Sequence, residues 1–126
     1  MKTAYFDCFS GASGDMILGA LADAGLNMDQ LKQGLARLNL PGFDLTAEKT
    51  TRSGLACTQV SVQIQETDAP ARNLSDILSI IESSQLLPIE KSRSAAIFNR
   101  LAEAEAHVHH TSIDHIHFHE VGAMDA

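Results

Sequence analysis

Over residues 4 to 9 the side chains alternate, with Ala4, Phe6 and Cys8 on one side and Tyr5, Asp7 and Phe9 on the other, a period of two that predicts a short strand. A Gly/Ser loop, Ser10 to Gly14, follows. Met16, Ile17, Ala20, Leu21 and Ala24 then recur at helical spacing, predicting a helix from about Asp15 that Gly25 stops in the left-handed region. Asn27 with Gln30 three residues on resembles a capping box for a second helix, with Leu31, Leu35 and Leu38 as its apolar stripe and Pro41-Gly42 as its end. Phe43 to Gln65 reads as a hairpin: one strand through Leu45 and Ala47, a turn at Ser53-Gly54, and a second strand with Val60, Val62 and Ile64 on one face. Its other face, Ser61, Gln63 and Gln65, is polar enough to meet water.

Asp68 to Asn73 with Pro70 predicts a loop, and Ser75 a cap for a helix through Ile77, Leu78 and Ile81. Pro88 suits the first turn of the longest helix, which runs to about His107 with Ile89, Ile97, Leu101, Ala104 and Val108 as its buried line. Residues 115 to 119 alternate again, as His, Ile, His, Phe, His. The order strand, helix, helix, hairpin, helix, helix, strand predicts an α+β domain, a small mixed or antiparallel sheet packed against four helices. Residues 1–126 form one such domain.

Composition narrows the function. With 44% hydrophobic residues the chain can build a core without staples, and Cys8 and Cys57 are too far apart in sequence for a CxxC site or a disulfide framework. There is no run of roughly 18 to 20 apolar residues for a membrane span and no signal-peptide stretch after Met1, so a cytoplasmic protein is expected. Nine basic against sixteen acidic side chains give a net charge of -7, which argues against nucleic acid as a partner and favours cations. Val121 to Ala126 read like the middle of a motif, so the chain is expected to be part of a longer protein.

All 6 histidines lie between His107 and His119, and the cluster runs into Glu120 and Asp125. Neutral imidazole is the commonest protein ligand for divalent transition metals, and carboxylates complete such a shell. In an extended segment His115, His117 and His119 share one face while Ile116 and Phe118 anchor the other in the core, so the donors are held still. His107 and His110, with Glu103 one turn earlier, form a second donor set at a helix end. The bland alternative for His107, His109 and His110 is favourable interaction with the helix dipole, and for His117 and His119 a hydrogen-bonded structural pair.

Asp7 to Asp15 place two hydroxyls and free backbone N–H groups at a strand-to-helix turn, an arrangement that attracts phosphate or carboxylate. It lacks the Lys of a Walker A loop and is not GxGxxG. Asp15 at its mouth repels a phosphate unless a cation bridges the two, and the bland reading is a tight turn with Ser13 as N-cap. A nucleophile at Ser10, Ser13 or Cys8 with a histidine base ranks below metal binding, since one base does not account for six imidazoles.

Two blocks, YFDCFSGASGDM at residues 5 to 16 and HFHEVGAMDA at residues 117 to 126, resemble the N-terminal part of the LarC family of nickel-insertion proteins. The resemblance implies insertion of nickel into pyridinium-3,5-bisthiocarboxylic acid mononucleotide, which completes the nickel-pincer nucleotide of lactate racemase. It implies a lyase-type cyclometallase that uses CTP with manganese or magnesium, in a protein about three times this long whose C-terminal CTP-binding domain is not in this chain. The fragment alone is then expected to be inactive. The motif maps to Asp7, Ser10, Gly11, Ser13, Gly14 and Asp15 as substrate-binding residues and to His117, His119 and Glu120 as catalytic ones. Asp125, His115, His107 and His110 join His117, His119 and Glu120 as metal donors. The expected partners are nickel and a mononucleotide, and a homo-oligomer is compatible with the sequence. A non-catalytic metal chaperone or storage module, and a structural or oligomerisation domain, stand as alternatives.

Overall fold

The computed structural model describes residues 1, 3–9, 11–64, 72–116 and 118. Among these residues four helices and one antiparallel pair of strands make up an α+β fold: α1 (Gly14–Asp23), α2 (Met28–Ala36), β1 (Phe43–Arg52), β2 (Leu55–Ile64), α3 (Leu74–Ser83) and α4 (Pro88–Val108), followed by a 3₁₀ turn at Ile113–His115. Among the described residues, no helix is long and apolar enough to cross a membrane.

The N-terminal elements follow local chemistry closely. Gly25, at φ 101°, closes α1, because its N–H donates to the Ala22 carbonyl and that of Leu26 to the Leu21 carbonyl. That pair of bonds is a Schellman motif, and the positive φ is why glycine stands there. The Asn27 side chain accepts from the Gln30 N–H at 3.0 Å and opens α2. Ser53 (φ 49°) and Gly54 (φ 82°) are both left-handed, the two-residue turn whose twist suits a hairpin. The turn sets the register Leu45↔Val62 and Ala47↔Val60. Leu45 and Val60 are buried, at 3% and 2% exposure, under α1 and α2.

The second half is built differently. Ile77, Ile81, Ala102, Ala106, Ile116 and Phe118 form one buried cluster between α3, α4 and the segment after the 3₁₀ turn, with Leu74, Phe98 and Leu101 packed against it. Phe98 and Phe118 meet edge to face, their centroids 6.3 Å apart, a geometry that suits the ring quadrupoles. Arg37 ties the halves together: its carbonyl accepts from the Gln85 N–H at 2.8 Å, and its guanidinium lies 3.7 Å from the Glu90 carboxylate.

Four expectations are corrected. Residues 4 to 9 form no strand, and Tyr5, Phe6 and Phe9 are exposed. Alternation supplies a face but no hydrogen-bonding partner, and among the described residues the sheet pairs β1 with β2 alone. The cap of α3 is Asn73, not Ser75: Asn73 Oδ1 accepts from the Asp76 N–H at 3.0 Å, and Asp76 accepts in return from the Asn73 N–H at 3.1 Å. The buried line of α4 runs through Ala102 and Ala106, whereas Ile89, Ile97 and Val108 are exposed. Small side chains let α3 approach closely, so packing overrides the hydrophobicity ranking. Finally, His115 sits in the 3₁₀ turn rather than in an extended run. Ile116 and Phe118 are nonetheless buried, as their alternation requires.

Candidate functional site

Loop 7 to 13 leads into α1 through a turn in which the Gly11 N–H donates to the Cys8 carbonyl at 2.9 Å and Gly11 takes a positive φ of 84°. Ser13 is the N-cap by backbone conformation, but its hydroxyl donates to Asp15 Oδ1 instead of capping an amide. The same carboxylate oxygen accepts from the Met16 N–H at 2.9 Å. Asp15 thus places negative charge in the first turn of α1, where the helix dipole favours it. Asp7, Gly11, Ser13, Gly14 and Asp15 are all exposed, while Ser10 lies outside the described residues.

α1 lies against β2 at Gly19, where an added Cβ would overlap the Thr58 carbonyl oxygen. The absence of a side chain brings helix backbone onto strand backbone. One turn on, Asp23 Oδ1 accepts from Lys49 Nζ at 2.5 Å and from the Thr58 hydroxyl at 2.7 Å. The hydrogen bond from Lys49, then that from Thr58, then the Lys49 charge hold the Asp23 carboxyl below the usual carboxylate range. On the far side of the hairpin a hydrogen bond from Lys32, then one from the Leu45 N–H, lowers Asp44 in the same way. Beside the Gly19 contact an open cleft of about 630 Å³ runs between α1 and the hairpin. Asp15, Met16 and Ala20 line it from the helix, and Arg52, Cys57 and Gln59 from the strands. Arg52 Nη2 donates to Gln59 Oε1 at 3.0 Å.

Sequence reasoning missed Arg52, Gln59, Cys57, Asp23 and Lys49. They are single polar positions in strands and a helix, without a motif, and become neighbours when α1 folds over the hairpin. The register implied by the Ser53-Gly54 turn is the one signal that pairs positions 49 and 58 in advance.

The described histidines are spread around the end of α4. His107 is in its last turn, and His109 is its C-cap, with Nε2 3.2 Å from Glu105. His110 takes the left-handed conformation, φ 51°, that closes the helix. Its N–H donates to the His107 carbonyl, and that of Thr111 to the Ala106 carbonyl. His115 Nδ1 shares a hydrogen with Ser112 Oγ at 2.7 Å. Glu103 is engaged by Arg100 at 2.8 Å. Among the described residues no three His, Cys, Asp or Glu side chains stand together as a metal shell. His117, His119, Glu120 and Asp125 lie outside the described residues, as does the expected meeting of that block with the Asp7 to Asp15 loop.

Residues 4–126 match the nickel insertion protein family. The chain is 52% identical over 126 residues to the pyridinium-3,5-bisthiocarboxylic acid mononucleotide nickel insertion protein of Desulfitobacterium hafniense, covering 100% of this chain and 31% of that protein. It is 48% identical over 134 residues to the protein of the same name from Acetivibrio thermocellus, covering 100% of this chain and 33% of that protein. The chain therefore spans about a third of the length of the curated relatives it matches. No solved structure matches it. Matched along nearly all of its residues and about half identical to these relatives, the chain belongs to the nickel insertion protein family.

Proposed function

We propose that this chain is the nickel-handling part of a cytoplasmic protein that inserts nickel into pyridinium-3,5-bisthiocarboxylic acid mononucleotide, making the nickel-pincer nucleotide of lactate racemase. The observation that carries this reading is the family match across residues 4–126, which takes in both the Gly/Ser loop and the histidine block. Burial of Ile116 and Phe118, the neighbours of position 117 in sequence, supports it, since a donor segment tied to a core loses less entropy on binding a cation.

His117, His119, Glu120 and Asp125 hold the incoming nickel ion, with His115, His107 and His110 as outlying donors. Imidazole and carboxylate bind nickel(II), but thiocarboxylate sulfur is the softer ligand, so the ion passes from protein to substrate and the protein acts as donor rather than sink. Ring metallation breaks a C–H bond: its electron pair forms the carbon–nickel bond, and the proton passes to whichever of His117, His119 or Glu120 has given up the ion to the thiocarboxylate sulfur and so has a lone pair free. The loop Asp7, Ser10, Gly11, Ser13, Gly14 and Asp15 orients the mononucleotide.

CTP with manganese or magnesium, which the LarC resemblance implies, is assigned to the remainder of the full-length protein rather than to the residues of this chain.

Exchanging His117 and His119 together for Ala tests the reading by calorimetric nickel titration. A loss of at least tenfold in affinity is expected, and unchanged affinity removes both residues from the shell. If nickel is retained but never reaches the thiocarboxylate substrate in the full-length protein, the chain is a chaperone module instead.

A further inference from the structure

We propose that the cleft between α1 and the β1–β2 hairpin binds the pyridinium mononucleotide, with Arg52 as its phosphate contact, an assignment that rests on the nickel-insertion reading above. At about 630 Å³ the cleft falls within the range of small-molecule sites, roughly 300 to 1,000 Å³. Its character is also that of such a site, a mainly apolar wall with a few charged and polar groups. Met16 and Ala20, both exposed on α1, offer an aromatic ring apolar contact, and a methionine sulfur beside a ring is itself favourable.

The charges on the walls are of opposite sign, Asp15 and Asp23 from the helix, the latter held by Lys49, and Arg52 from the hairpin. A pyridinium nucleotide has the matching pair, a ring cation and a phosphate. Arg52 is the better phosphate contact than the Gly/Ser loop, because the Asp15 carboxylate occupies the mouth of that loop and repels an anion there. Gln59 Oε1 accepts one N–H of the guanidinium and fixes its plane. Of the five donors of an arginine, the remaining ones are left to grip phosphate oxygens. Among the described residues Arg52 is exposed and has no carboxylate partner, unlike Lys49 and Lys32, which are held by Asp23 and Asp44.

Nicotinate mononucleotide, a pyridinium carboxylate on ribose 5-phosphate without sulfur, is the probe. It is titrated without nickel into the isotope-labelled chain, and amide shifts and calorimetry are recorded. Saturable shifts are expected in residues 15–23 and 50–60, with inorganic phosphate competing. Arg52→Gln should weaken binding at least tenfold. Ala20→Phe, which fills the cleft, should abolish it, and Arg100→Gln on α4 should bind as the parent does. Circular dichroism checks that each variant keeps its helices. No saturable binding, shifts confined to other residues, or parental affinity in Arg52→Gln in a folded chain would overturn the assignment. The two readings fail separately: probe binding that Arg52→Gln weakens supports the cleft even if nickel transfer fails, whereas nickel insertion in the full-length protein that is indifferent to Arg52→Gln sinks the cleft alone.

Discussion

The two halves of the molecule solve the same problem with different means. In the N-terminal half, among the described residues, α1, α2 and the hairpin bury two large side chains well, Leu45 and Val60, and rely on local devices, a Schellman stop at Gly25 and a left-handed pair at Ser53-Gly54, and on one long-range polar triad, Asp23, Lys49 and Thr58. The C-terminal half buries a cluster of six residues between α3 and α4, closed by an aromatic pair. A shallow half leaves a cleft and exposed loop residues for a ligand to use, while a well-cored half fixes the residues around position 117. Regions that bind and move are drawn from the less stable part of a fold, and this division follows that pattern.

The contrast is open to attack at three points, taken from the largest effect down. Phe118→Ala removes an aromatic side chain from the C-terminal cluster and should cost about 3 to 5 kcal/mol. Val60→Ala removes two methyl groups from the thinner core and should cost about 2 kcal/mol. Urea unfolding of the two variants side by side measures the difference, and equal losses would mean that the halves are equally well cored.

Gly19→Ala comes next. Alanine gains about 1 kcal/mol of helix propensity over glycine. Here, however, its Cβ runs into the backbone carbonyl of Thr58, which cannot swing aside, and overpacking of that kind costs about 1 to 3 kcal/mol. A net loss with an unchanged urea m-value is expected. A net gain would show that α1 does not press on β2 there.

The smallest effect is that of acid. Asp23 and Asp44 have carboxyls held below their ordinary value, so the stabilisation from their Lys49, Thr58 and Lys32 partners is complete above about pH 3.9 and is lost as pH falls through the lowered values. Both side chains are exposed to solvent, which screens them, so the expected result is a modest fall in melting temperature between pH 5 and pH 2 that Asp23→Asn makes shallower. A melting temperature that rises on acidification would reverse the assigned sign.

The amino-acid sequence by itself determined whatever depends on neighbours along the chain. The Ser53-Gly54 turn, the stop at Gly25, the Asn27 cap and Pro88 at the start of α4 are local because φ preferences and short-range hydrogen bonds act over a few residues. The hairpin register and the family resemblance of residues 5 to 16 and 117 to 126 were legible for that reason. Long-range pairing was not. Residues 4 to 9 alternate like a strand but have no partner in the sheet, and α4 presents Ala102 and Ala106 inward because α3 needs close approach, a demand invisible in the periodicity of α4 alone.

The candidate site divides along the same line. Asp7 to Asp15 and the histidines announced themselves by residue type and spacing, whereas Arg52, Cys57 and Gln59 came to line one cleft when α1 closed over the hairpin. Residue chemistry is written position by position. A cleft belongs to two surfaces, and tertiary packing alone decides which surfaces meet.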